Sequence, residues 1–301
     1  MAGVFVVGSI NQDFVLNVER RPAPGETVTD ARLATHNGGK GANQAAAAAL
    51  LGAGVTFLGR VGDDGFGEPL VRALAEKGVD TSLVEEGPDA STGTAFITVT
   101  PDGENAITVA PGANRRLTVE DVDAASGTIG EAKVLVVQME IPARVVRRAV
   151  EVAAANETRA LVNLAPPYEV PQALLEKLDP LVLNEHEAAF LLGKSVEGVD
   201  GALSAASELW NLGPRSVVVT VGEEGAVFSQ GESAEHLTAP RVEVVDTTGA
   251  GDAFVGALAA RLADDAPLED AVAYAVRAGA AAVTREGAQG ALPTPDVVEA
   301  L

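Results

Sequence analysis

Short apolar runs alternate with helical patterns along the first third of the chain. One run lies at about residues 4 to 8 and another near 55 to 60, and both have the length and the β-branched content of buried strands. An alanine-rich helix is predicted from about 41 to 53, and a second helix near 68 to 77. Strands that alternate with helices in this way are typical of a parallel sheet covered by helices.

The same alternation continues in the second half of the chain. The runs AKVLVVQ, RALVNLA, LDPLVLN and RSVVVTVG are short and apolar, which favours buried strands. Helices are predicted between them near 142 to 155 and near 199 to 212, and the segment from about 250 to 301 is predicted to be mostly helical. The whole pattern predicts an α/β fold, in which a doubly wound, mostly parallel sheet is flanked by helices.

Residues 92 to 110 interrupt this alternation. The stretches TGTAFITVT and NAITVA follow a period of two and are joined by the turn PDGE, which predicts a β-hairpin. With the segment near 12 to 36, the hairpin is expected to form a small β-sheet lid on a single domain spanning residues 1–301, because no linker or repeat divides the chain. Ligands of doubly wound sheets bind where strands end, so the loops after the strands are the expected places of chemistry.

Composition excludes several classes of function. No apolar run approaches the roughly 18 to 20 residues of a membrane span, and MAGVFVVGSI leads directly into a strand pattern, so we expect a soluble, cytoplasmic protein without a membrane partner. There are no cysteines, which excludes disulfides, thiolate zinc sites and thiol nucleophiles. The chain has three histidines, and this small number disfavours a histidine-ligated metal site and Ser-His catalysis.

The chain is strongly acidic. Its 43 acidic and 21 basic residues give a net charge of −22, which opposes broad contacts to phosphates, so no nucleic-acid partner is expected. Five of the 21 basic residues are lysine. This acidic, lysine-poor balance suits a halophilic protein in high cytoplasmic salt, where self-repulsion is screened, and an ordinary acidic enzyme is the alternative.

The stretch VVDTTGAGDAFVGAL, residues 244–258, is the first candidate for chemistry. Its glycines allow close approach of the backbone to a ligand, and the N–H groups that begin the following helix favour an anion such as phosphate. Asp252 has two possible roles at this place. It is either a carboxylate that stabilises the helix, or a general base that takes a proton from a hydroxyl beside the phosphate.

Two familiar nucleotide motifs are not fulfilled. A dinucleotide fingerprint requires a third glycine where Phe254 stands. The run LLGKS at 191–195 ends like a phosphate loop, but the earlier glycine of that motif falls on Ala188, and the run follows a helical pattern rather than a strand. Neither motif therefore predicts a nucleotide site.

A second glycine cluster, HNGGKGANQAAAAALLGAG from His36, precedes the alanine-rich helix. It supplies Lys40 and Asn43, whose side chains suit sugar hydroxyls or an anion. Upstream, GSINQDF places Asn11 and Asp13 two positions apart, so that both side chains project to the same side of an extended segment. Binding of hydroxyl groups is one use of these residues; turn formation and a solvated lysine are the alternatives.

Taken together, these motifs resemble the ribokinase-like carbohydrate kinases. The resemblance is carried, in the family's order and over nearly the whole chain, by GSINQDF, PAPGETV, GGKGANQAAAAALLGA, VGDDGFGE, GAN at 112, VQME, LNEHEA, TVGEEGA, DTTGAGDAFVGAL and VTREGAQGALP. It implies the family's fold with a β lid, and ATP-dependent phosphorylation of a small sugar. Ribose, phosphorylated at its 5-hydroxyl, is the expected substrate.

The resemblance also implies roles for individual residues. Asp252 would be the catalytic base, and the anion hole would be formed by Gly249, Ala250 and Gly251. Sugar contacts are implied for Asn11, Asp13, Gly39, Lys40, Asn43, Glu140 and Asp252. Nucleotide contacts are implied for Asn184, Thr220, Gly222, Gly225 and Gly251, and Glu187 would organise Mg²⁺ through water. A K⁺ site is implied, mostly through backbone carbonyls, at Asp246, Thr248, Ala282, Arg285, Gly287 and Ala291.

The chain departs from the family pattern at two positions. Ala291 stands where a serine commonly contributes a cation ligand, which predicts weaker cation binding or a ligand supplied by water. Arg21, in ERRPAPGE, stands where an apolar residue is usual. It is either a solvated surface charge or a guanidinium that receives a phosphate already present on the substrate.

The sequence leaves several functions open. Within the kinases, the alternatives to ribose are ribose 1-phosphate, a sugar acid such as 2-keto-3-deoxygluconate, and a nucleoside. From other classes, a sugar- or nucleotide-binding regulator is disfavoured by Asp252, and a dinucleotide-dependent oxidoreductase by Phe254. Because TAFITVT is apolar on both faces, a homodimer through the lids is expected to cover the face that the sugar leaves open.

Overall fold

The computed structural model describes residues 3–102 and 104–301, so that Met1, Ala2 and Gly103 of the predicted PDGE turn lie outside the described residues. The strands are β1 (Val4–Val7), β2 (Asn11–Asn17), β3 (Arg32–Gly38), β4 (Val55–Gly62), β5 (Val79–Gly87), β6 (Gly93–Val99), β7 (Asn105–Ala110), β8 (Val134–Gln138), β9 (Arg159–Asn163), β10 (Leu181–Asn184), β11 (Val217–Thr220), β12 (Ala226–Ser229) and β13 (Ala234–Leu237).

Helices follow most strands of the main sheet. They are α1 (Lys40–Leu50), α2 (Gly67–Glu76), α3 (Val119–Ala124), α4 (Ser126–Glu131), α5 (Ala143–Ala155), α6 (Gln172–Leu175), α7 (Glu185–Leu192), α8 (Gly198–Trp210), α9 (Ala250–Ala263), α10 (Leu268–Ala282) and α11 (Pro295–Glu299). Short 3₁₀ turns cover Gly112–Arg116 and Gly222–Glu224.

Nine of the described strands form the main sheet, in the order β13-β12-β11-β10-β9-β8-β1-β4-β5. Neighbouring strands are parallel from β11 to β5, and β12 and β13 are attached antiparallel at one edge. Because β1 lies between β4 and β8, the chain winds outward from it in both directions. The predicted fold, a doubly wound and mostly parallel sheet with flanking helices, is confirmed.

The two faces of the main sheet carry separate parts of the core. Val4 and Val6 of β1 pack in the layer that contains α1, α9 and α10, whereas Phe5 and Val7 pack in the layer that contains α5 and α8. All four side chains are fully buried. A strand that is buried on both faces has no polar face to alternate with its apolar one, and this is why these strands appear in the sequence as continuous apolar runs.

A separate small sheet has the strand order β3-β2-β6-β7. The predicted hairpin is present as β6 and β7, which pair antiparallel, and the segment that precedes α1 supplies β2 and β3. β2 and β6 run parallel, so the sheet is mixed. The small sheet therefore joins two segments of the chain that are separated in sequence by α1, β4, α2 and β5.

The pattern of apolar residues in the sequence does not predict β5, β12 and β13. These strands lie at or next to the edges of the main sheet, and β5 and β13 contain exposed polar residues, so they lack the continuous apolar run of the central strands. The LLGKS run ends α7 at Gly193, whose φ is +66°, and is not a phosphate loop, as predicted. Within residues 3–102 and 104–301, none of the helices has the length and apolar character that a membrane crossing requires.

Candidate active site

Asp252 lies in the first turn of α9 and is buried, with 7% of its surface exposed. The turn before it ends at Gly249, whose φ of +79° lies in the left-handed region that favours glycine. The first N–H groups of a helix have no partner within that helix. The predicted glycine turn and helix start are therefore present beside Asp252, and anion binding there stays a prediction.

Two consecutive residues of α1 hold the carboxylate of Asp252. Asn43 Nδ2 donates to Oδ2 at 2.9 Å, and Gln44 Nε2 donates to Oδ1 at 2.9 Å. The two helices come this close because Gly256, one turn after Asp252, has no side chain. A Cβ at Gly256 would lie 2.5 Å from Cβ of Ala47 and 2.6 Å from the carbonyl oxygen of Gln44. The alanine-rich sequence of α1 thus allows the carboxylate to reach both amides.

Open space lies in front of the glycine turn. A Cβ built on Gly251 would meet no atom within 4 Å, whereas one on Gly249 would lie 3.0 Å from Cα of Ala288. Gly249 is thus packed against the segment that follows α10, and Gly251 faces away from the protein. The turn is supported from behind and accessible from the front, as an anion site requires.

Asn11 and Asp13 both lie on β2 and are both buried, as two residues on one face of a strand. Asn11 Oδ1 accepts a hydrogen bond of 2.8 Å from Asn114 Nδ2, which fixes its orientation. The carboxylate of Asp13 lies against Gly38, where a Cβ would come within 2.0 Å of Oδ2. Among the described residues, Oδ1 of Asp13 has no hydrogen-bond partner, so this acceptor is available to a ligand hydroxyl.

Carboxylates surround one ammonium group in this pocket. Burial, followed by the charges of Glu140 and Asp252, raises the pKa of Asp13 from 3.8 to about 7, although Lys40 acts in the opposite direction. Burial alone would lower the pKa of Lys40, but Asp252, Glu140, Glu187 and Asp13 outweigh it and raise that pKa above 10.5. Lys40 is therefore a cation at neutral pH, held among acidic side chains.

Glu140 follows β8 and is fixed by two donors from the other side of the pocket. Ser9 Oγ donates to Oε2 at 2.5 Å, and the backbone N–H of Lys40 donates to the same oxygen at 3.1 Å. Gly39, with a φ of +88°, makes this approach possible, since a Cβ there would lie 2.8 Å from the backbone of Ser9 and Asn11. Glu140, Gly39 and Lys40 are thus brought together as predicted.

The predicted nucleotide residues form a second group, at the ends of β10 and β11. Asn184 and Thr220 are register partners on these neighbouring strands. Asn184 caps α7: its Oδ1 accepts from the N–H of Glu187 at 2.9 Å, and Oε2 of Glu187 accepts from the N–H of Asn184 at 2.9 Å. Burial raises the pKa of Glu187 above 4.5 despite this hydrogen bond. Gly222 and Gly225 shape the turn after β11, both with positive φ.

The residues predicted for the cation belong to two segments that lie together. Oδ2 of Asp246 accepts from the N–H of Gly287 at 2.8 Å, and Oδ1 accepts from the N–H of Thr248 at 2.9 Å. Burial raises the pKa of Asp246, but these hydrogen bonds outweigh it and lower the pKa below 3.8. Ala291 is buried, and His36 of the small sheet lies beside Gly287. The two segments are thus joined beside the glycine turn, on the side where Ala288 packs against Gly249.

Among the described residues, no cluster of three or more His, Asp or Glu side chains could hold a metal ion. Any cation at this edge of the sheet would therefore depend on backbone carbonyls, on single carboxylates or on oxygens of a ligand.

Arg21 lies away from the pocket. It is exposed, and its charge acts on Asp102 in the β6–β7 turn, where hydrogen bonds from Thr100 and Glu104 are the main causes that lower the pKa of Asp102. This turn is at the end of the small sheet that is farther from Asp13, since β6 pairs with β2 from Gly93 onward. The position favours the interpretation of Arg21 as a solvated surface charge.

Several polar residues that were not predicted from the sequence hold the predicted ones in place. They are Ser9, Gln44, Asn114, Gln138 and Asn163, which are all buried. Gln138 and Asn163 end the apolar runs VLVVQ and RALVN, and a polar residue at the carboxyl end of a buried parallel strand is a signal that could have identified them. Gln44 carries no such signal in its local sequence.

Comparison with known proteins gives consistent results. The profile of the pfkB family of carbohydrate kinases matches residues 1–295. A ribokinase of Staphylococcus aureus is 38% identical over 293 residues, which cover 96% of either chain. A deoxyribokinase of Salmonella typhi is 36% identical over 292 residues, 97% of this chain and 95% of the relative. The solved structure of an Arabidopsis thaliana ribokinase complexed with ribose and ATP has a TM-score of 0.90 at 30% identity, and covers 99% of this chain and 98% of its own.

Proposed function

The chain belongs to the pfkB family of carbohydrate kinases, and we propose that it transfers the γ-phosphoryl group of ATP to the 5-hydroxyl of ribose. The family gives the class of reaction, and the ribokinases among the relatives give the sugar. The structural observation that supports the proposal is the position of Asp252, a buried carboxylate at the start of a helix behind a glycine turn.

Free acceptors in the pocket suit a ligand rich in hydroxyl groups. Oδ1 of Asp13 and Oδ1 of Asn43 are buried without a partner among the described residues, and the ammonium of Lys40, whose pKa is raised in part by Asp13, supplies a donor. Buried acceptors cost free energy unless a donor reaches them, and sugar hydroxyls are such donors. We assign sugar contacts to these residues and to Asn11, Gly39 and Glu140.

The proposed reaction needs a base and a place for negative charge. The oxygen of the 5-hydroxyl attacks the γ-phosphorus, the bond to the leaving ADP oxygen breaks, and the hydroxyl proton passes to the carboxylate of Asp252. We assign the N–H groups of Gly249, Ala250 and Gly251 to the developing charge on the phosphoryl oxygens, although that of Ala250 donates to the carbonyl oxygen of Thr247 at 3.3 Å in the structure. Catalysis by this chain is then largely a matter of positioning the two substrates.

Asn184, Thr220, Gly222 and Gly225 are assigned to ATP, and Glu187 to Mg²⁺. The hydrogen bonds among the described residues use Oε2 of Glu187, which leaves Oε1 for a water of the ion's hydration shell. Burial makes the charged form of Glu187 costly, and this is why its pKa is raised. A cation nearby would offset that cost, so the position fits a residue that faces Mg²⁺. When bound, Mg²⁺ would neutralise charge on the ATP phosphates.

A monovalent cation, K⁺, is assigned to the joined segments around Asp246 and Gly287. The proposed ligands are carbonyl groups of Asp246, Thr248, Ala282, Arg285, Gly287 and Ala291. The fit is supported by the hydrogen bond between Asp246 and Gly287, which brings the two segments together. Ala291 has only a methyl side chain, so its own contribution is limited to the backbone. The bound cation would support the glycine turn electrostatically.

We also propose that two copies of the chain form a homodimer through their small sheets. The protein is proposed to be cytoplasmic, with residues 1–301 acting as one kinase domain. All six residues of the edge strand β7 are exposed, among them Ile107 with 57% and Val109 with 45% of their surface. Leu33 of β3 is 60% exposed. Such apolar exposure on an edge of a small sheet is a hazard in water unless another chain covers it.

A substrate screen tests the proposed function. Initial rates would be measured at high KCl with ATP and Mg²⁺ for ribose, 2-deoxyribose, ribose 1-phosphate, fructose, 2-keto-3-deoxygluconate and nucleosides. 2-Deoxyribose is included because one relative is a deoxyribokinase. We expect the highest kcat/KM for ribose, with ribose 5-phosphate as the product.

The same screen on Arg21→Leu distinguishes ribose from ribose 1-phosphate, the main alternative substrate. If Arg21 bound a substrate phosphate, this variant would lose activity on ribose 1-phosphate and keep it on ribose. The distance of Arg21 from Asp13 along the small sheet predicts equal rates for variant and wild type. A preference for ribose 1-phosphate that collapses in the variant would contradict the assignment of ribose.

A further inference from the structure

Amide side chains of three elements meet behind the carboxylate of Asp252. Gln44 lies on α1, Gln138 is the last residue of β8, and Asn163 is the last residue of β9. Gln44 and Gln138 are each 1% exposed and Asn163 is 8% exposed. Buried amides destabilise a protein unless their polar atoms are hydrogen-bonded, so this arrangement requires specific contacts.

The contacts fix the orientation of Gln44. Gln138 Nε2 donates to Oε1 of Gln44 at 2.7 Å, so the carbonyl end of the Gln44 amide faces β8. Its nitrogen then faces Asp252 and donates to Oδ1 of that carboxylate at 2.9 Å and to Oδ1 of Asn163 at 3.0 Å. Both N–H groups of Gln44 have acceptors and its oxygen has a donor. The amide cannot turn over without losing all three bonds.

From this geometry we propose that Gln44 is a positioning residue for catalysis, held by Gln138 and Asn163, which keeps the carboxylate of Asp252 oriented toward the acceptor hydroxyl. The proposal rests on the role of Asp252 as the base, assigned above. The last side-chain torsion of aspartate has a broad energy profile, so a carboxylate that is not held samples many orientations. A displacement of the reacting groups by about 1 Å costs about 10²-fold in rate.

Gln44 and Asn43 are neighbours, but their hydrogen bonds to Asp252 differ in whether the substrate competes with them. Asn43 is assigned to the sugar, so its hydrogen bond to Oδ2 of Asp252 competes with the substrate. Gln44 lies deeper, and its polar atoms are all engaged by the protein. Its hydrogen bond to Oδ1 therefore persists when the sugar occupies the pocket, and leaves Oδ2 to receive the proton.

The test compares Gln44→Met with wild type. Methionine has nearly the same length and volume but no N–H donor. We expect kcat for ribose to fall about 10- to 100-fold, the effect typical of one lost hydrogen bond to a charged group, while KM for ribose and the dissociation constant of ATP change less than about threefold. A fall in affinity with unchanged kcat would overturn the proposal.

Thr158→Val is the matched control. Thr158 is buried and donates to the carbonyl oxygen of Ile129 at 3.0 Å, at the opposite end of β9 from Asn163. This variant removes one buried hydrogen bond and Gln44→Met removes three, so both melting temperatures should fall, that of Gln44→Met further. Its kcat should stay within about twofold of wild type. If kcat fell by a comparable factor in both variants, the loss in Gln44→Met would be explained by general destabilisation, and the proposal would be overturned.

A double-mutant cycle with Asp252→Asn gives the decisive measurement. If Gln44 acts through the base, adding Gln44→Met to Asp252→Asn should change kcat by less than about twofold. The same loss in both backgrounds would overturn the proposal. If Gln44→Met does not fold, Gln138→Met carries the same cycle, because it removes only the donor that orients Gln44, and a loss of about 3- to 10-fold is expected.

The outcomes separate this proposal from the one on which it rests. A wild-type protein without sugar kinase activity would overturn both. An active wild type with an unaltered Gln44→Met variant would overturn the positioning role alone and leave the assigned reaction standing.

Discussion

Asn43 and Asp252 are 209 positions apart in the chain, and their side chains are joined by a hydrogen bond of 2.9 Å. This bond connects the start of α1 with the start of α9, and each of these helices follows a glycine turn. One helix start carries residues assigned to the sugar, and the other carries the turn assigned to phosphate. A hydroxyl group and a phosphate bound at these places are therefore neighbours.

Asp252→Asn is expected to lower kcat about 10²- to 10⁴-fold, the range typical of a lost general base. Asparagine has the shape of aspartate, so the fold and the affinity for ATP should change little. The measurements are the turnover with ribose, the melting temperature and the dissociation constant of ATP by calorimetry. Normal turnover in this variant would contradict the role of Asp252 as the base.

Gly251→Ala is expected to lower kcat/KM for ATP by about tenfold or more without loss of stability. The added Cβ meets no protein atom within 4 Å and enters the space assigned to the phosphoryl group. The matched control is Gly127→Ala, because Gly127 is also the exposed second residue of a helix with open space around it. Equal kinetics of the two variants would place the phosphate elsewhere.

Asp13→Asn is expected to stabilise the protein more at pH 8.5 than at pH 5.5. The folded-state pKa of Asp13 is about 7 against an ordinary 3.8, so the folded protein keeps a proton that the unfolded chain loses between these values. The stability that this carboxyl contributes is full below about pH 4 and is lost as the pH rises to about 7. The expected difference is about 2 kcal/mol in the free energy of unfolding. Denaturation with urea at both pH values measures it, and a difference near zero would contradict the raised pKa.

K⁺ is expected to activate the enzyme relative to Na⁺ at matched ionic strength. The cation would order the segment from Asp246 to Thr248, which leads into the glycine turn, and so would preorganise the anion site without contacting the sugar. Ala291→Ser, which supplies an extra oxygen, should lower the K⁺ concentration for half-maximal activity. Equal rates in KCl and NaCl would refute a K⁺ site.

Ile107→Asp is expected to convert a homodimer into monomers. Ile107 is 57% exposed on the edge strand β7, and an added charge there opposes burial against a second chain. Light scattering at high salt measures the mass of wild type and variant. A fully active wild-type monomer would contradict the proposed dimer.

The sequence by itself determined the fold class and singled out the residues that are assigned to the pocket. Strands buried on both faces are continuous apolar runs, and helices that begin after glycine turns have a local signature, so β1, α1 and α9 could be recognised without tertiary information. Asn11, Lys40 and Asp252 belong to motifs whose order along the chain already indicated the carbohydrate kinase family. The edge strands β5 and β13 were missed because exposure on an edge removes the apolar run.

Only the tertiary structure decided which side chains meet. Gln44 has the local sequence of any polar residue near the start of a helix, and its role follows from the neighbours that the sheet order gives it. β8 and β9 are adjacent in the sheet, so Gln138 and Asn163 end side by side beneath α1, and Gly256 lets α9 bring Asp252 within 2.9 Å of Gln44. Arg21 is the opposite case, since it is near the sugar motif in sequence but at the far end of the small sheet in space. Local sequence patterns reflect the secondary structure and burial of a residue's own helix or strand, whereas contacts between elements depend on the packing of segments that are far apart in the chain.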